Sequence, residues 1–136
     1  MNENLMIKKI LNQTKSIAIV GLSVDTNKAS FIVGQFLKEN GYKIYPIYPK
    51  FEEVLGEKIY RTLDDIDQKI DLVLMFRKGS FASNLLPIII KKRIKNFWLQ
   101  LGIFNNEVQE ECIKLGINFI HNKCIMRELS LCKTKD

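Results

Sequence analysis

Cysteine is scarce: Cys112, Cys124 and Cys132 make an odd number without C-x-x-C spacing. Neither a disulfide framework nor a zinc site is signalled, and a reducing compartment is expected. Long apolar runs are missing too. No stretch of about 18 apolar residues occurs, so no membrane-spanning helix is expected. The opening residues, MNENLMIKKILNQTK, hold an early acidic residue and no apolar segment of signal-peptide length. The protein is therefore expected to be cytoplasmic, with no membrane partner. Histidine is reduced to His121. A catalytic couple with Cys124 is disfavoured, because side chains three apart on an extended segment point to opposite faces.

What is present is the composition of a folded domain. With 136 residues, 46% hydrophobic and 26% charged, the chain fits one domain, residues 1–136, able to bury a core. The net charge of +6 admits an anionic partner. Its densest run, Lys91, Lys92, Arg93 and Lys95, falls where a helix ends and where the helix dipole favours cations. Stacking aromatics are not interleaved with it, so nucleic acid is not expected as a partner.

Residues 16–22, SIAIVGL, form a nearly continuous apolar run, the mark of a strand buried on both faces. A helix is predicted over 27–40, with Gly41 as its left-handed cap. YKIYPIY (42–48) reads as a second strand, in which Pro46 predicts early fraying or a bulge. Thr62 precedes Asp65 by three residues in the manner of a capping box. DLVLMFR (71–77) is the third strand. A turn over 80–86 should lead to a helix that opens at Pro87. NFWLQLG (96–102) is the fourth strand, and Asn106 with Gln109 caps a helix that Gly116 stops. INFIH (117–121) is the fifth, followed by a short tail. This alternation predicts an α/β, Rossmann-like three-layer fold with a five-stranded parallel sheet in the order 3-2-1-4-5. A ligand site belongs at the carboxyl ends of the strands, at the topological switch point.

The loop after the first strand, AIVGLSVDTNKAS, looks like a dinucleotide fingerprint short of glycine: of G-x-G-x-x-G only Gly21 is present. A strand that feeds a helix still offers free backbone N–H groups to an anion. Lys28 at the helix start either bends into water or serves such an anion. Ser23 and Ser30 can each donate to phosphate, or act as ordinary turn and helix residues. The second strand ends in Tyr48-Pro49-Lys50, where an NAD site would place an acidic residue. A lysine there favours ligands with a phosphate on the ribose, such as NADP or coenzyme A.

Together, AIVGLS with Lys28-Ala29-Ser30, Gly41-Tyr42 entering YPIYPK, residues 54–60, Asp71-Leu72-Val73 with Phe76-Arg77, residues 98–102, and Lys123-Cys124 with Glu128 resemble one family. It is that of the CoA-binding domain proteins, stand-alone relatives of the CoA-binding domain of the succinyl-CoA synthetase alpha subunit and of ADP-forming acyl-CoA synthetases. The resemblance runs from about Ile10 to Glu128 and implies a coenzyme A site in the crevice. By that likeness Gly21, Leu22 and Ser23 form the phosphate loop, assisted by Lys28 and Ser30. Pro49 and Lys50 flank the adenosine end, Phe76 and Arg77 line the crevice, and Gln100 reaches in from the fourth strand. Thr26, Tyr48 and Leu129 stand where the family usually has proline, asparagine and histidine.

Cys124, just past the last strand, is expected at the crevice, either as a packing residue or as a thiol facing that of coenzyme A. The chain has no room for the phosphorylated histidine domain of the related synthetases. A non-catalytic module that binds CoA or an acyl-CoA is therefore expected, with a homodimer or a further protein partner left open. The alternative is an NADP-dependent oxidoreductase with a reduced Rossmann domain. A structural subunit with a vestigial crevice is the third.

Overall fold

The computed structural model describes residues 2–135, and the side chains of residues 2–132. Met1 and Asp136, the ends of the expected domain, lie outside the described residues. In chain order the elements are α1 (Glu3–Gln13), β1 (Ser16–Val20), α2 (Ala29–Glu39), β2 (Lys43–Ile47), β3 (Glu53–Val54), β4 (Glu57–Lys58), β5 (Leu72–Met75), α3 (Ala82–Lys91), β6 (Asn96–Leu99), α4 (Asn106–Leu115), β7 (Asn118–Ile120) and α5 (Ile125–Lys135). β3 and β4 form a small antiparallel ribbon, and the other five strands form one parallel sheet.

The apolar runs become central strands because both faces of the sheet are covered. Ala18 and Val20 of β1 pack with α3 and α4 residues such as Leu85, Ile89, Val108 and Cys112. Ile17 and Ile19 pack on the opposite side with Ile7 and Leu11 of α1, Val33 and Leu37 of α2, and Ile125 and Leu129 of α5. The result is the expected three-layer α/β fold.

The sheet order is β2-β1-β5-β6-β7, which corrects the place given to residues 71–77. That run lies beside β1, in the fourth position of a 3-2-1-4-5 type arrangement. The third position, outside β2, is reduced to a single parallel bridge between Ile47 and Tyr60. The physical reason is burial: Leu72, Val73, Leu74 and Met75 are fully enclosed, which only a central place provides. The switch point therefore lies between β1 and β5.

Three local expectations change. β2 neither frays nor bulges at Pro46, for its register with β1 is continuous from Ser16–Lys43 to Val20–Ile47. The Pro46 carbonyl accepts from the Tyr60 N–H at 2.9 Å on the outer edge, so the missing N–H also faces that edge and no bond to β1 is lost. α3 begins at Ala82 rather than Pro87, with Pro87 inside it. An interior proline costs about 3 kcal/mol or more, while burying Leu85, Leu86 and Ile89 gains about 1.5–3 kcal/mol each. The cap of α4 is Asn105 rather than Asn106, its side chain accepting from the Val108 N–H at 2.9 Å.

Two helices were not foreseen. α1 is capped by Asn2, whose side chain accepts from the Leu5 N–H at 2.9 Å, and it buries Ile7, Ile10 and Leu11. The segment after β7 is α5, which docks through Ile125 and Leu129. Both carry helical spacing of buried residues, a readable signal that the polar surroundings masked.

Candidate functional site

β1 delivers the chain to Gly21 at the carboxyl edge. Its N–H donates to the Ile47 carbonyl at 2.9 Å, and its φ is 88°. A Cβ at this position would lie 3.3 Å from the Phe76 carbonyl oxygen. Glycine is thus needed for the turn and for the close approach of β5. Beside it opens a cavity of about 510 Å³ lined by Gly21, Tyr48, Pro49, Phe76, Arg77 and residues of α3, including Leu85. Arg77 stands at its edge with the guanidinium 4.2 Å from the centroid of the Phe81 ring. That contact holds a permanent positive charge over an apolar wall.

The loop from Gly21 to α2 is organised by its own polar side chains. Ser23 donates its N–H to Ser30 Oγ at 3.0 Å, and Asp25 donates its N–H to Ser23 Oγ at 3.0 Å. Asn27 donates to Asp25 Oδ1 at 2.9 Å. Both hydroxyls act as acceptors here, which leaves their own O–H groups able to donate outward. Leu22 is fully buried and packs under Gly34, where an added Cβ would lie 2.9 Å from Leu22 Cδ1. Only its main chain is available above. Lys28 is the exposed N-cap residue of α2 and makes no side-chain capping bond. A cation at that end gains nothing from the dipole.

The structure brings Gly21, Pro49, Phe76 and Arg77 together around the cavity, with exposed Lys50 following Pro49. Gln100 and Cys124 stand further along the edge. The buried Gln100 accepts the Ile125 N–H through Oε1 at 3.2 Å, which anchors the start of α5. Cys124 lines a second cavity of about 640 Å³, shared with Leu5 and Lys8 of α1, Lys123, and Arg127 and Cys132 of α5. Cys112 is buried in the core, and burial pushes its thiol up to about 11, so it stays protonated and inert at neutral pH. His121 does not face Cys124 chemistry either: its Nδ1 accepts the Asn105 N–H at 3.3 Å, and burial draws its pKa below the ordinary 6.5.

Arg61, Phe81, Asn84 and Leu85 also line the first cavity and were missed in the sequence. Arg61 follows the one-residue bridge at Tyr60, which has no strand signature. The α3 residues were hidden by the assignment of 80–86 to a turn. Among the described residues no group of three or more His, Cys, Asp or Glu side chains could hold a metal ion, and no helix is long and apolar enough to cross a membrane.

The family described as "CoA binding domain" matches residues 15–130. The chain is 34% identical to the "Uncharacterized protein YneT" of Bacillus subtilis (strain 168), over 88% of each. It is 28% identical to "Acetate--CoA ligase [ADP-forming]" of Methanocaldococcus jannaschii, over 86% of this chain but 18% of that protein. The chain thus spans under a fifth of the length of that ligase. Among solved structures, a "hypothetical protein from Pyrococcus horikoshii OT3" superposes with a TM-score of 0.91 at 36% identity, over 97% of this chain and 93% of the other. A Rossmann-like sheet with its crevice at the β1–β5 switch point, and a family match that spans most of its length, together show that this chain belongs to the CoA-binding domain family.

Proposed function

We propose that the protein binds coenzyme A or an acyl-CoA at the β1–β5 crevice, as a binding or regulatory module without chemistry of its own. The observation that carries this reading is the cavity between Gly21 and Arg77, set where an α/β sheet holds its ligands. The archaeal relatives are ligases of acetate and CoA by name, and the likeness to them covers 86% and 82% of this chain. Phosphates would lie above the loop, met by the main chain at Gly21 and Leu22, the hydroxyls of Ser23 and Ser30, and the Lys28 charge. Pro49 and Lys50 would flank the adenosine, with Lys50 on the ribose 3'-phosphate. Phe76 and Arg77 would line the middle.

The pantetheine arm then runs along the carboxyl edge toward Gln100 and Cys124. Three strand steps separate β1 from β7, or about 14 Å at the usual strand spacing. That is a span an extended arm can cover. Isothermal titration with CoA, desulfo-CoA, NAD and NADP tests the reading: CoA is expected to bind with a Kd below millimolar. No binding of CoA in that range would overturn it, and a preference for NADP would favour the oxidoreductase alternative. Native mass spectrometry of the purified protein would report retained ligand and subunit number together.

A further inference from the structure

Resting on the crevice reading, we propose that Tyr48 and Phe51 form a preset stacking platform for the purine base of the ligand, locked in place by Arg61. Tyr48 ends the run of β2 and lines the cavity. Phe51 lies against it, with ring centroids 6.5 Å apart and planes inclined by 19°. The Phe51 side is open: this residue is 54% exposed. Its φ is 67°, a left-handed conformation that bulky residues rarely adopt.

Arg61 accounts for the geometry. Its Nη1 donates to the Tyr48 carbonyl at 3.0 Å and to the Phe51 carbonyl at 2.8 Å, while Nη2 donates to the Glu52 carboxylate at 3.1 Å. One guanidinium therefore holds the main chain of both ring-bearing residues. Arg61 is in turn anchored by its neighbour, since the Tyr60 carbonyl accepts the Tyr48 N–H at 3.0 Å and the Tyr60 N–H donates to the Pro46 carbonyl at 2.9 Å. A platform held this way loses little freedom when a ligand arrives, so its stacking energy is not spent on ordering the loop.

The chemistry that fits is a flat heteroaromatic ring. The platform follows the end of the second strand, where this fold class holds the nucleoside ribose, and Lys50 stands between the two aromatics in sequence. Glu52, the nearest acid in sequence, is engaged by Arg61. The exposed Phe51 ring would meet the base through its π face. Stacking of this kind tolerates one purine in place of another.

The test is titration of the wild type, Phe51→Asn and Phe51→Trp with three probes: CoA, adenosine 3',5'-bisphosphate and 4'-phosphopantetheine. Asparagine tolerates the left-handed backbone, so the loop keeps its conformation while the ring is lost. Phe51→Asn is expected to weaken CoA and the bisphosphate roughly five- to hundredfold and to leave 4'-phosphopantetheine unchanged. Phe51→Trp should keep the affinity for all three. Equal CoA affinity for wild type and Phe51→Asn overturns the platform, as does an equal loss for 4'-phosphopantetheine. A wild type that binds none of the probes overturns the crevice reading itself.

Discussion

Two cavities open at the carboxyl edge of one sheet, and they differ in what their polar groups already do. The β6–β7 cavity measures about 640 Å³, against about 510 Å³ for the one at β1, β2 and β5. Around the larger one, polar groups already serve the fold. The Lys123 ammonium lies 3.6 Å from the Glu3 carboxylate, its carbonyl accepts Trp98 Nε1 at 2.8 Å, and Asn122 Oδ1 accepts the Gly102 N–H at 2.9 Å. At the smaller cavity the Arg77 guanidinium lies over the Phe81 ring, while Lys28, which makes no capping bond, and the Ser23 and Ser30 hydroxyls belong to the loop that follows Gly21 and do not line it. Volume measures room; affinity for an anion follows from groups that are held in place yet still able to bond.

The sharpest way to break this contrast is Lys50→Ala. Loss of a charge-assisted bond to the 3'-phosphate should cost about 1.5–3 kcal/mol in CoA binding, while dephospho-CoA binds as before. Equal losses for both ligands in calorimetry would remove Lys50 from that role.

Next comes Gly21→Ala, which forces a side chain into a φ of 88° and toward the Phe76 carbonyl. Urea unfolding should report a stability loss of about 1–2 kcal/mol. No loss would mean that the turn does not depend on glycine.

A smaller effect is expected from pH. Burial lowers the folded-state pKa of His121 below the ordinary 6.5, against a weaker opposing pull from Glu3. On acidification the unfolded chain therefore takes up the proton first, so the His121 contribution is complete above about pH 6.5 and falls away as the pH drops through the folded value. Thermal melts from pH 7.5 to 5 should show this decline in the wild type and a flatter profile in His121→Gln. The same slope in both would assign it to other groups.

The smallest effect should come from the far cavity. Lys123→Ala breaks a surface ion pair with Glu3 and is expected to change stability by less than about 1 kcal/mol and CoA affinity little, since the arm is proposed to end at Cys124 and not on the Lys123 ammonium. A marked loss of CoA binding would show that the Lys123 ammonium takes part in recognition.

The five sheet strands were legible because strands buried on both faces carry continuous apolar runs, as SIAIV and LVLM do. Gly21 was legible too, since a single glycine between a buried strand and a helix has few other uses. Arg61 and Phe51 were not. Their roles depend on a bridge of one residue and on a left-handed backbone at a non-glycine position, neither of which has a periodic signature. Gln100 was singled out through the family resemblance, as a residue reaching in from the fourth strand. That its Oε1 accepts from Ile125 depended on α5, a helix the sequence reading treated as a tail.

By itself the sequence determined the fold class, the alternation of strand and helix, and a glycine turn at the end of β1. These follow from local patterns of burial and backbone freedom, which neighbouring residues carry. Only the tertiary structure decided that residues 71–77 lie beside β1, that a second cavity opens around Cys124, and that one arginine bonds the main chain of both Tyr48 and Phe51. Those are matters of which distant segments meet, and burial across the sheet selects among pairings that the sequence patterns leave equally open.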